Sequence, residues 1–156
     1  MLGVRLICIG KLKERYWRDA VAEYEKRLRP LCRWELVELP EARLPQDPSP
    51  AEIKAALEKE AAAILERVQG TVYPLCIEGK QLDSPGLARR LQKAMDHPGA
   101  VTFVIGSSFG LADAVKQAGE GISMSPMTFP HQLARVMLCE QLYRGFQNLQ
   151  NSKYHK

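Results

Sequence analysis

Short apolar runs alternate along this chain with stretches of helical periodicity, and that alternation limits the possible folds more than any other feature of the sequence. Residues 4–9 (Val-Arg-Leu-Ile-Cys-Ile) are bounded by Gly10, and their length suits a buried strand better than a helix. From Glu14 to Leu28 the apolar residues Trp17, Val21, Tyr24 and Leu28 recur three and four apart, which predicts a helix closed by Pro30. Residues 34–39 give a second strand. A proline-rich loop follows, and Ser49-Pro-Ala-Glu52 opens a helix to about Val68 with a capping box and proline at the first helical position. Residues 71–77 form a third strand, and Ser84-Pro85 starts a helix through about Met95. Ala100–Ile105 is a fourth strand, residues 111–118 a short helix and residues 121–124 a brief fifth strand. The last helix begins near Pro130, with Leu133, Val136, Met137, Leu142 and Phe146 as its core-facing stripe.

Strands alternating with helices predict a single-domain α/β protein, a three-layer sandwich around a mainly parallel five-stranded sheet. A length of 156 residues fits one domain over residues 1–156, large enough to bury a core without staples. No apolar run approaches the ~20 residues of a membrane span, and residues 1–6 lack the pattern of a secretory signal, so the expected location is the cytoplasm. The four cysteines, Cys8, Cys32, Cys76 and Cys139, are scattered and show no metal-ligand spacing. No metal is expected. Cys8 and Cys76 read as small buried hydrophobes.

The net charge of +4 is unevenly spread. Residues 1–33 carry nine Lys/Arg against four Asp/Glu, residues 34–130 nine against thirteen, and residues 131–156 four against one. Brought together, the two basic ends would suit a polyanion.

Two irregular segments, Gly106-Ser-Ser-Phe-Gly110 and Ser123-Met-Ser-Pro-Met-Thr-Phe-Pro-His131, follow the fourth and fifth strands. In an open α/β sheet the ligand lies beyond the carboxyl ends of the strands, so these loops predict a pocket there. Dinucleotide and P-loop folds place their glycine loop after the first strand, whereas here Gly10 runs into Lys11-Leu-Lys13 and no phosphate-loop pattern occurs. The nucleophile elbow G-x-S-x-G is also missing. Leu75, Gly106, Met124, Met127 and Phe129 would give a lining of backbone groups and apolar side chains that suits an adenine ring.

The segments Val104-Ile-Gly-Ser-Ser-Phe-Gly-Leu111, Ser123 to Gln132, Glu140-Gln-Leu-Tyr-Arg144 and Tyr154-His-Lys156 resemble the bacterial enzymes that methylate N3 of a pseudouridine in 23S ribosomal RNA, a small branch of the SPOUT class. Gly10-Lys-Leu-Lys13, Tyr24-Glu-Lys-Arg-Leu28 and Ile77-Glu-Gly-Lys80 extend the resemblance over the whole chain. It implies a C-terminal trefoil knot, a homodimer, S-adenosyl-L-methionine as cofactor and the ribosome as partner. Carried over by position, the cofactor contacts are Leu75, Gly106, Met124, Ser125, Pro126, Met127, Thr128 and Phe129. Methyl transfer to N3 needs a base or a positive field at its proton, for which His131, Arg135, Tyr154 and His155 are the catalytic candidates, Tyr154 and His155 through the resemblance; Arg135, Arg144, Tyr154 and His155 are the substrate-binding candidates, the two arginines either for rRNA phosphates or for holding the dimer. Ser107 and Phe109 stand where relatives carry a glycine and an acidic or amide residue. A ribosome- or RNA-binding protein that has kept the fold without catalysis is the alternative expectation, and a small nucleotide-binding regulator a third.

Overall fold

The structure, a computed structural model, describes residues 1–150. Five parallel strands form one sheet in the order β2-β1-β4-β3-β5: β1 Gly3–Ile9, β2 Arg33–Leu39, β3 Thr71–Gln81, β4 Ala100–Ile105 and β5 Ile122–Ser123. Five helices connect or follow them: α1 Arg15–Leu28, α2 Pro50–Leu65, α3 Ser84–Asp96, α4 Asp113–Lys116 and α5 His131–Leu149. The sheet is parallel throughout, as the alternation of elements predicts.

The pleat explains why the central strands read as continuous apolar runs. On β1 and β4, Val4, Leu6, Cys8, Val101, Phe103 and Ile105 face α1, α3 and α5. Their neighbours Ile7, Ile9 and Val104 face α2 and α4. A strand covered on both faces needs apolar groups at successive positions, whereas one open to water would alternate. Thr102 is the polar exception on β4. Its hydroxyl accepts from the Gln69 amide at 2.9 Å and donates to the Gln69 carbonyl at 2.7 Å, so burial leaves it fully bonded.

The capping box at α2 forms as expected, with Ser49 Oγ accepting from Glu52 N at 3.1 Å and Glu52 Oε1 from Ser49 N at 2.9 Å. At α3 the cap lies one residue earlier than predicted. The Asp83 carboxylate accepts from Gly86 N at 2.7 Å, being a stronger acceptor than a hydroxyl. Ser84 is thereby released to donate to Gln141 Oε1 at 2.6 Å and tie α3 to α5.

The stripe on α5 is rotated from the predicted one. Ala134, Leu138, Cys139, Leu142, Gly145 and Phe146 are buried against α1 and α3, while Leu133, Val136 and Met137 are only half-buried. Both sets recur at helical spacing, so the periodicity alone did not separate them. Strand β3 also outruns its expected end at residue 77. It pairs with β4 over its first half and then bulges at residues 76–79, before Lys80 and Gln81 pair with β5. Glu78-Gly-Lys80 is too polar to read as strand. Burial pushes the Cys8 and Cys32 thiols up to about 12, as expected of inert core cysteines, and Cys76 is half-buried. Among the described residues, no helix is long and apolar enough to cross a membrane.

Candidate functional site

A cleft of about 890 Å³ opens at the carboxyl ends of β3, β4 and β5, where the sheet-edge rule places a ligand. The turn after β4 makes one wall. Gly110 N donates to Ser107 O at 2.9 Å, and Phe109 N donates to Ser107 Oγ at 3.3 Å. Gly110 has φ of +88°, a conformation open to glycine at little cost. Gly106 is required for a different reason: a Cβ there would lie 2.2 Å from the Gly110 carbonyl oxygen, so the turn closes only over a hydrogen. Ser107 uses its own hydroxyl to build this turn.

The loop after β5 forms a second wall and is held by its serines. Ser123 Oγ donates to Ser125 O at 2.9 Å, and Ser125 Oγ accepts from Met127 N at 3.0 Å. Helix α5 starts at the cleft without a side-chain cap. Its first-turn N–H groups lack intrahelical partners, and His131, Gln132 and Ala134 line the cleft. The bulge of β3 supplies the third wall through Cys76, Ile77 and Glu78. Lys116 Nζ reaches Glu78 Oε1 at 2.5 Å across from α4. This bond raises the Lys116 pKa and lowers that of Glu78, so both stay charged near neutral pH.

The structure brings most of the expected cofactor residues together. Leu75, Gly106, Met124, Ser125, Met127, Thr128 and Phe129 all line the cleft, while Pro126 belongs to the same loop but not to the lining. The candidate bases and cations are dispersed. Among the described residues, His131 is the only one of these candidates on the cleft wall. Arg135 is buried at 1% exposure, with Nη1 2.5 Å from Glu38 Oε2 and Nη2 donating to Gly10 O at 3.2 Å. It thus joins α5 to the ends of β1 and β2, which corrects the expectation of a substrate contact within this chain. Arg144 sits thirteen residues beyond His131 on α5, about 20 Å along the axis. There it pairs with Glu140, Nη2 to Oε2 at 2.8 Å. Tyr154 and His155 lie outside the described residues.

Sequence reasoning missed Glu78 and Lys116 as cleft residues. They come from a bulge and a helix whose meeting depends on strand order, and neither lies in a pattern with a chemical meaning of its own.

A family model described as predicted SPOUT methyltransferase matches residues 2–155. Among solved structures, a probable methyltransferase from Bordetella pertussis Tohama I is similar at 17% identity and a TM-score of 0.53, over 92% of this chain and 93% of that one. TrmJ from Z. mobilis ZM4 is similar at 14% identity and a TM-score of 0.54, over 93% of this chain and 70% of that one. A tRNA (m1G37) methyltransferase from Aquifex aeolicus follows at 12% identity and 0.52, over 91% and 69%. These likenesses concern the fold.

Proposed function

Because the chain belongs to the SPOUT methyltransferase family, we propose that it transfers the methyl group of S-adenosylmethionine to RNA, at N3 of a pseudouridine in 23S ribosomal RNA on assembled cytoplasmic particles. The observation that carries this reading is the cleft itself. It unites the two late loops and has the size and apolar lining of a nucleoside site. Leu75, Ile105, Leu111 and Ile122 suit the faces of an adenine ring, and backbone groups of both loops suit its edge. The N–H groups at the start of α5 suit a carboxylate, and the Glu78 carboxylate suits a cationic group.

The cofactor supplies an electrophilic methyl group on a sulfonium. The protein's share is then to align the acceptor nitrogen and to help its proton leave. Among the described residues, His131 is the one candidate base on the cleft wall. Tyr154 and His155 enter through the family resemblance, and Arg135 serves as a positioning residue.

The reading includes a homodimer and a knotted C-terminal segment. The half-buried Leu133 and Met137 on α5 favour a partner subunit. Tight threading is favoured by Gly119 and Gly121, which pass so close to β3 that a Cβ would lie 1.9 Å from Val72 O and 2.8 Å from Cys76 Sγ, respectively.

The test has two stages. Calorimetry should show the protein binding S-adenosylmethionine; no binding would leave the non-catalytic RNA-binding alternative. Ribosomal particles from cells lacking the protein should then accept labelled methyl groups, and mass spectrometry should place them on a pseudouridine. Label on another nucleotide would refute the N3-pseudouridine assignment and leave the methyltransferase reading intact.

A further inference from the structure

The strand register brings a second loop to the edge of the sheet at which the cleft opens. Parallel pairing sets Cys8 of β1 beside Ile105 of β4, so the chain leaves both strands at the same level, with neighbouring strands about 4.8 Å apart. The β1–α1 connection, residues 10–14, therefore starts from the same edge of the sheet as the turn at 106–110, and Leu12 carries it to the α1 and α5 face while Leu111 packs on the α2 and α4 face. The first carries exposed Lys11 and Lys13, with exposed Tyr16 just beyond them, and the second carries Phe109 at its tip.

We infer that Lys11, Lys13 and Tyr16 form an RNA-docking surface flanking the methyl-donor cleft, where the lysines take backbone phosphates of a looped strand and Tyr16 takes the face of a base. This rests on the RNA-methyltransferase reading above.

The turn is braced as a loop that only confers solubility need not be. Arg18 Nη1 donates to the carbonyls of Leu12 at 3.2 Å and Lys13 at 2.5 Å, and Arg135 Nη2 donates to that of Gly10. Two guanidinium groups thus hold three carbonyls of one short turn. Leu12 is buried between the two lysines and fixes them outward. Arg135 also belongs to α5, whose first turn lines the cleft, so the turn and the cleft wall are connected through one buried side chain.

Charge and shape both favour RNA. Residues 10–18 carry Lys11, Lys13, Arg15 and Arg18 against Glu14 alone. Arg15 is drawn toward Asp19 at 3.5 Å, whereas among the described residues no carboxylate pairs with Lys11 or Lys13. Tyr16 is 65% exposed and is propped by Trp17, with ring centroids 5.1 Å apart. An exposed aromatic beside two lysines without carboxylate partners matches a phosphate-and-stacking surface better than a protein-binding patch, whose centre is apolar and depleted of charge.

The experiment uses full-length protein with ribosomal large-subunit particles as acceptor. The Lys11→Gln/Lys13→Gln variant should raise the KM for particles at least tenfold, with kcat and S-adenosylmethionine affinity unchanged. Its log–log salt dependence should become shallower by about 1.4–1.8, because two phosphates would no longer be neutralised. Tyr16→Leu should raise the same KM roughly five- to a hundredfold, and Tyr16→Phe should restore it. Lys54→Gln/Lys59→Gln, on the opposite face of the sheet, should change neither quantity. An unchanged KM and slope in the first variant would overturn the inference, as would an equal effect in the control pair. A photo-crosslinker at position 16 should label RNA; labelling only ribosomal protein would also overturn it. If the wild-type protein transfers no methyl group, the functional reading fails separately, and filter binding of particles by the same variants still tests the surface.

Discussion

Replacing Arg135 by Met separates a structural role from a chemical one. The wild-type guanidinium makes two hydrogen bonds with charged character, to Glu38 and to Gly10 O, worth about 1.5–3 kcal/mol each. Two effects reduce the net cost of losing them. Arg135 Nε is buried without a partner, a penalty of about 1–3 kcal/mol that the substitution removes. The Glu38 side chain is 30% exposed, so water can reach the abandoned carboxylate. Methionine retains most of the aliphatic stem. The balance is a destabilisation of about 2 kcal/mol, or ~4–8 °C in Tm for a chain of this size. Urea denaturation at fixed protein concentration measures it, because dimer formation would otherwise shift the midpoint. A double-mutant cycle with Glu38→Gln should return a coupling of about 1–3 kcal/mol. A coupling indistinguishable from zero, with stability intact and methyl transfer lost, would refute the reasoning and make Arg135 a substrate contact.

Three further substitutions test the fold around the cleft and beyond it. Glu60 is buried, and its carboxylate accepts from Ala42 N at 2.9 Å, yet desolvation raises its pKa above the ordinary value of 4.5. A raised folded-state pKa gives stability that is present at low pH and lost as pH rises through it, so Glu60→Gln should raise Tm at pH 7–8 and lose that advantage below pH 4.5. A constant difference across pH would contradict the assignment. In the glycine turn, Gly110→Ala has open space at Cβ and suffers only the left-handed backbone cost, about 1–2 kcal/mol, whereas Gly106→Ala collides with backbone. Urea titration and calorimetry with S-adenosylmethionine should therefore show Gly106→Ala to be the more damaging of the two in both stability and affinity; the reverse order would dismiss the turn geometry.

Much of the fold was legible because each element carries a local signal. The uninterrupted apolar runs of β1 and β4 reflect cover on both faces, and the capping box of α2 is complete within four residues. The loops of the cleft were legible in the same way, since most of their lining comes from contiguous residues, 123–129 above all. The α3 cap moved because Asp83 and Ser84 compete for adjacent roles, and the competition is settled by Gln141, fifty-seven residues away. The α5 stripe moved because a helix with apolar residues on more than one face takes its orientation from what packs against it.

Strand periodicity, the capping box of α2 and the two late loops belong to the sequence by itself, since each depends on residues within a few positions of one another. Tertiary structure alone decided that Arg135 is a buried brace, that Glu78 meets Lys116 across the cleft, and that the lysine turn after β1 leaves the same edge of the sheet as the glycine turn after β4. These pairings follow from strand order and register. They join residues whose sequence separation carries no periodic signal, and Arg135, Glu78 and Lys116 find their partners only once the sheet has set its edge.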